Sequence, residues 1–190
     1  FIIQASIAPD MIESAAAGES AKIKTHHNTG LKTKTAQLHP FCSFFKYEIR
    51  ELAGQVGLPQ SVVTRQPFPG PGLFIRVVGA PARPDKLAIV RWADAQVKDI
   101  LKEHRLYDQI SQLVVALLGG KTAGVKGDGR SYAYSIAVRP VLSADFMTAN
   151  AFYFSEAIWR EIDCSLTKHP RINHTFYAGT SKPPATVEFE

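Results

Sequence analysis

Arg65-Gln66-Pro67-Phe68-Pro69-Gly70-Pro71-Gly72-Leu73 divides the chain into two halves of different character. Three prolines and two glycines within residues 67–72 remove backbone donors and alternately fix and free φ, so neither a helix nor a central strand can pass through. A solvated linker would carry Ser, Lys or Glu. Here Phe68 stands between prolines, and the stretch runs directly into the apolar Leu73–Val78, which reads as a strand. The expectation is a packed, shaped bend between two domains, residues 1–66 and 67–190.

Working outward toward the C-terminus, Pro84 at a first-turn position opens a helix whose apolar stripe is Val90, Ala93, Val97, Ile100 and Leu101. Leu113–Leu118 is nearly all apolar and predicts a strand buried on both faces. Beyond a glycine-rich turn, Tyr132, Tyr134, Ile136 and Val138 alternate with smaller residues, as on a half-buried strand. A second helix is expected over Phe152–Lys168, with Ile158, Ile162 and Leu166 on one face, and a last short strand over Thr175–Tyr177. The order strand, helix, strand, strand, helix, strand implies a small two-layer α+β unit with both helices on one sheet face.

Working outward toward the N-terminus, apolar Phe45, Ile49, Leu52 and Val56 mark one face of a helix over Ser43–Val56, with Gly57 as cap and Pro59 beyond it. Phe1–Ile7 reads as a strand, and Pro9–Ser14 as a turn into a short helix. Between them, Ile23-Lys24-Thr25-His26-His27-Asn28 lies in a polar, glycine-flanked stretch expected to be a loop. Adjacent histidines point apart and cannot grip one ion as an i, i+4 pair can, so no metal ligands are expected. A cation such as Lys24 on a closing loop can neutralise charge developing on a phosphate chain.

The 190 residues are 45% hydrophobic and 21% charged, which excludes a disordered or membrane-spanning class, and no apolar run approaches the ~20 residues a bilayer requires. With no basic leader region, a cytoplasmic location is the default expectation. The net charge of +5 is dispersed and suits a phosphorylated small molecule at least as well as nucleic acid. Cys42 and Cys164 have neither metal spacing nor a nucleophile's setting and read as ordinary thiols. Gly119-Gly120-Lys121-Thr122 imitates the end of a phosphate loop. However, Val115 occupies the place of the required first glycine, and the residues after it are too glycine-rich for the helix that should follow.

The bend closely resembles the Arg-His-Pro-Phe-Pro-Gly-Pro-Gly-Leu segment of GMP synthetases, which joins their ATP-pyrophosphatase domain to their dimerisation domain. The end of the chain, Thr180-Ser181-Lys182-Pro183-Pro184-Ala185-Thr186-Val187-Glu188-Phe189-Glu190, resembles the C-terminal tail of that family. Pro9-Asp10-Met11-Ile12-Glu13-Ser14, the Lys24 loop, Gly124–Tyr132 and Ser143–Ala149 are similar to family segments in the same order. The resemblance implies an α/β part, the end of an ATP-pyrophosphatase (adenine-nucleotide alpha hydrolase-like) domain, then a small α+β homodimerisation domain. It also implies a glutaminase and a Ser-Gly-Gly-x-Asp-Ser phosphate loop upstream, since neither occurs here.

The implied activity is that of a ligase: ATP with Mg2+ adenylates XMP, and ammonia from glutamine displaces AMP to give GMP. Carried over position by position, Lys24 closes on the ATP phosphates as the catalytic cation. Lys182 takes the XMP phosphate, Val187 by its backbone and Glu188 by its side chain hold the nucleotide, and Gln112, His174, Pro69 and Gly70 are further XMP contacts. This chain departs from the family at Gln66 (His in the family), His174 (an Arg that helps bind the phosphate) and Ala178 (Asp). Its Ala5 and Ser6 stand where Gly and Thr are usual. The rival class is a basic α+β nucleic-acid-binding module whose Gly127-Asp128-Gly129 turn clamps a backbone, with Asp128 of the wrong charge for that duty.

Overall fold

A computed structural model describes residues 1–15 and 35–190, which divide into two units, Phe1–Arg65 and Gln66–Glu190. The Lys24 loop and both of its histidines lie outside the described residues.

In the first unit, β1 (Ile2–Ile3) pairs in parallel with β2 (Gln37–Leu38), and α1 (Ala8–Ala15) follows β1. The expected strand over Phe1–Ile7 is thus confined to two residues. Asp10 Oδ2 accepts the Ile7 N–H at 3.0 Å and turns the chain into α1. Helix α2 (Lys46–Gln55) begins three residues later than Ser43, because Phe45 is its N-cap and Glu48 takes the Phe45 N–H at 2.7 Å. It ends as expected at Gly57, whose φ of +82° permits the reversal. Leu58 N–H reaches Ala53 O and Gly57 N–H reaches Gly54 O, both at 3.0 Å, the paired bonds of a Schellman cap. A single-turn α3 (Gln60–Val63) follows. Leu52 is 42% and Val56 70% exposed, so among the described residues of this unit the C-terminal part of the α2 apolar stripe is not buried.

The second unit opens at the bend. Leu73–Val78 is not one strand: Gly72–Arg76 winds into a 3₁₀ turn, and only β3 (Val77–Val78) is extended. The reason is Pro71-Gly72, where Gly72 at φ +70° and its N–H bond to Pro69 O at 2.9 Å start a tight coil that hydrophobicity does not reveal. Helix α4 (Pro84–Glu103) starts with Pro84 and buries Val90, Ala93, Val97, Ile100 and Leu101.

β4 (Gln112–Lys126) and β5 (Gly129–Leu142) then form a long antiparallel hairpin. The glycine-rich stretch expected as a turn is therefore mostly strand, kinked where the register shifts between Leu118 and Lys121 and reversing only at Gly127-Asp128. Gly119 tolerates nothing larger, since an added Cβ would lie 2.5 Å from Ala80 Cβ and 2.8 Å from Gly79 O. The glycine thus serves strand packing, not a phosphate.

β3 flanks β4 in parallel. On the other edge of β5, β7 (Ile172–Tyr177) runs parallel beside Tyr134–Val138, and the short β6 (Asn150–Ala151) pairs antiparallel with Val141–Leu142. Between β6 and β7, α5 (Glu156–Thr167) starts from a Ser155 cap and buries Ile162 and Leu166.

One hydrophobic cluster joins α4 and α5 to Leu113, Val115 and Leu117 of β4 and to Ile136 and Val138 of β5. The intervening Val114, Ala116, Ala137, Arg139 and Val141 face the opposite side of the sheet and are buried too. Lys126, from the hairpin, donates to Thr167 O and His169 O at 2.7 Å each and closes the C-terminal end of α5. Cys42 and Cys164 are exposed free thiols, and no helix among the described residues is long and apolar enough to cross a membrane.

Candidate functional site

The 3₁₀ turn after the bend delivers Arg76 into the interior, where it is 1% exposed. Its guanidinium lies 5.3 Å from the Phe68 ring centroid and donates from Nη1 to Asp94 Oδ1 at 3.2 Å and from Nη2 to Leu113 O at 3.4 Å. The other edge of the fork grips a residue 112 positions later: Nη2 to Glu188 Oε1 at 3.0 Å and Nε to Glu188 Oε2 at 3.3 Å. Two charge-assisted bonds from one planar donor hold the carboxylate in a single orientation. Asp94 also receives Lys98 Nζ at 2.5 Å, so two cations face two carboxylates and the buried charge is compensated.

Gln112 begins β4 beside this network, and its Nε2 donates to Glu188 Oε1 at 2.8 Å. Gln112 and Glu188, both implied as nucleotide contacts by the resemblance, therefore meet. Val187, next to Glu188, presents its carbonyl to Arg139 Nε at 3.1 Å. Pro69 and Gly70 lie in the turn that precedes the Arg76 coil, and a Cβ at Gly70 would touch nothing within 4 Å.

Lys182 belongs to a neighbouring surface. Its backbone exchanges hydrogen bonds with Ala149 at 2.7 and 3.0 Å, and its ammonium donates to Phe146 O at 2.6 Å. Phe146 adopts φ +64°, and Ser143 Oγ fixes that conformation by accepting the Phe146 N–H at 2.8 Å.

His174 is elsewhere. It sits opposite Ser135 on β5, stacks on Phe176, and donates from Nε2 to Ala123 O at 2.9 Å. Lys182 instead pairs with Ala149, next to the Asn150 that sits opposite Leu142. From Ser135 to Leu142 is roughly 23 Å at strand rise, so within one chain His174 does not join Lys182.

Sequence reasoning missed Arg76 and Arg139. The signal is a charged residue inside an otherwise apolar, period-two run: Phe74-Ile75-Arg76-Val77-Val78 and Ile136-Ala137-Val138-Arg139-Pro140-Val141. A cation at such a position requires a built set of acceptors. Burial lowers the Arg139 pKa from its ordinary value, against the raising influence of Tyr177. Burial pushes the Tyr177 phenol up to about 12, with Tyr153 adding to the rise, so it stays neutral and donates to Phe152 O.

Residues 99–189 match the family described as GMP synthase C terminal domain. Over its whole length the chain is 44% identical to the GMP synthase (glutamine-hydrolyzing) of Ruegeria sp. (strain TM1040), of which it covers 38%. It is 43% identical to the protein of that name from Roseobacter denitrificans, covering 37% of it. For the Mesoplasma florum protein the identity is 42% and the coverage 38%. The chain thus spans less than two fifths of the length of these curated relatives. Similarity of this extent does not favour the nucleic-acid-binding class.

Proposed function

We propose that the chain, whose residues 99–189 match the family described as GMP synthase C terminal domain, is the nucleotide-holding, C-terminal part of a cytoplasmic GMP synthase. In this reading residues 1–65 are the end of the ATP-pyrophosphatase domain and residues 66–190 the homodimerisation domain. The whole enzyme adenylates the C2 oxygen of XMP with ATP, and ammonia released from glutamine displaces AMP.

Lys182 carries the XMP phosphate on an ammonium that donates to Phe146 O and keeps two further N–H groups to offer. Glu188 and Gln112 hold the base end, Val187 lines it, and Pro69 and Gly70 are further nucleotide contacts. Lys24 closes on the ATP phosphates. His174 meets the phosphate only in an arrangement that brings it to Lys182. Mg2+ enters with ATP; no group of three or more His, Cys, Asp or Glu among the described residues is placed to hold it.

The observation that supports this reading best is the 2.8 Å contact between Gln112 and Glu188, two proposed nucleotide contacts 76 residues apart in sequence. Titration of XMP and of single-stranded RNA against the chain tests it. Saturable XMP binding that weakens in Gln112→Ala and Glu188→Ala is expected. RNA binding with no response to XMP would overturn it.

A further inference from the structure

Two arginines dock the C-terminal residues, and the reaction chemistry above gives neither of them a task. Arg139 lies on the sheet face turned away from the helices and is 2% exposed. Its donors reach the carbonyls of Ala178 (3.1 Å), Thr180 (2.7 Å), Thr186 (2.9 Å) and Val187 (3.1 Å). These acceptors come from two stretches, residues 178–180 and 186–187, on either side of Lys182. One forked side chain therefore closes the loop that carries the lysine. Arg76 fixes the far end by holding both oxygens of Glu188, its own charge balanced by Asp94.

The burial is mutual. With the tail lifted, Arg139 would stand unpaired among Val114, Ala137 and Val141, a charge driven back toward water. With the tail down, four of its five N–H groups are satisfied. Lysine cannot substitute, because three donors on one nitrogen do not span carbonyls from two separate stretches.

We propose that Arg139 and Arg76 are positioning residues for the nucleotide: they set the tail in its closed arrangement before any nucleotide arrives, so that Lys182, Val187 and Glu188 meet it preorganised. This rests on the reading of the tail as the XMP-closing segment.

The test uses the full-length ligase containing this chain and compares Arg139→Lys, Arg139→Met, Arg76→Gln and Lys182→Ala. XMP and ATP are varied separately in steady state, and carboxypeptidase release of the C-terminal residues is followed with and without XMP. The expected result is a KM for XMP raised roughly ten-fold or more in the arginine variants, with KM for ATP within about two-fold of the parent. The variant tails should be cut quickly, and the parent tail should resist equally with and without XMP. A parent tail that resists only once XMP is added would show docking by the nucleotide and overturn the proposal. So would arginine variants that melt earlier yet keep the parent's KM for XMP, since that is a purely structural role. An unchanged KM for XMP in Lys182→Ala overturns the nucleotide reading of the tail itself, and the positioning role with it.

Discussion

The Oε1 of Gln66 accepts the backbone N–H of Leu113 at 2.9 Å, joining the bend to the start of β4. The same amide donates from Nε2 to Tyr107 O at 3.2 Å and to Ile110 O at 3.0 Å. One side chain thus satisfies three backbone groups between α4 and β4, and it needs an acceptor and two donors to do so. A neutral histidine ring has one of each. Gln66→Ala should destabilise the second unit by roughly 1–3 kcal/mol through unpaired backbone groups, and Gln66→His by less. Urea unfolding followed by circular dichroism checks both.

How far the sequence could be read follows from where periodicity ends. Val90, Ala93, Val97 and Leu101 announce α4 because a 3.6-residue stripe has one solution, and Leu113–Leu118 announces β4 because only burial on both faces explains a continuous apolar run. The 3₁₀ turn at Gly72–Arg76 was not readable, since hydrophobicity does not separate a short coil from a strand. The extension of β4 through Gly119-Gly120 was hidden for the opposite reason, because glycines chosen for a close strand approach look like a turn. At the candidate site, Gln112, Glu188 and Lys182 were reachable by resemblance. Arg76 and Arg139 were hidden because their partners lie 112 and up to 48 residues away.

The two glycines of the imitation phosphate loop should behave differently on substitution. A Cβ at Gly119 would meet Ala80 Cβ at 2.5 Å and two backbone carbonyls inside 3.0 Å, whereas one at Gly120 meets nothing within 4 Å. Gly119→Ala should push β3 from β4 and cost roughly 1–3 kcal/mol, with Gly120→Ala near neutral. A phosphate cradle would instead make both variants lose nucleotide affinity at unchanged stability. Denaturant melts and ATP titrations of the two variants separate these outcomes.

A pH dependence follows from His169. Burial first, then Arg171 and Lys126, hold its pKa below the ordinary 6.5. Its ring packs 4.8 Å from that of Trp92, and its Nδ1 accepts the Arg171 N–H at 3.1 Å, a bond the imidazolium cannot accept. The unfolded chain binds this proton more readily, so the stabilisation is fully present above about pH 6.5 and is lost as pH falls through the lower, folded pKa. Asp85, held below its ordinary 3.8 by the Arg171 hydrogen bond, loses its contribution only at more acid pH. His169→Gln should flatten the first window and leave the second. Melting temperature against pH, with Trp92 fluorescence in a Trp159→Phe background, reads both.

Lys182 and His174, which resemblance groups together, should respond differently to substitution. Lys182 and His174 are both implied as phosphate contacts, yet His174 donates to Ala123 O beside the hairpin while Lys182 donates to Phe146 O near β6. A charge-assisted contact to phosphate contributes about 1.5–3 kcal/mol, so Lys182→Ala in the full-length enzyme should weaken XMP by roughly ten- to a hundred-fold and leave ATP nearly untouched. His174 offers charge only when protonated, whereas arginine offers it at every working pH. If XMP reaches only the Lys182 side of the sheet, His174→Arg shifts neither the affinity nor its pH profile, and curves for the two enzymes from pH 5.5 to 8.5 run parallel. If the phosphate also meets His174, through a partner subunit or a rearranged tail, parent affinity falls as pH rises while the arginine variant stays flat. Diverging curves would return His174 to the phosphate site; parallel ones keep it outside.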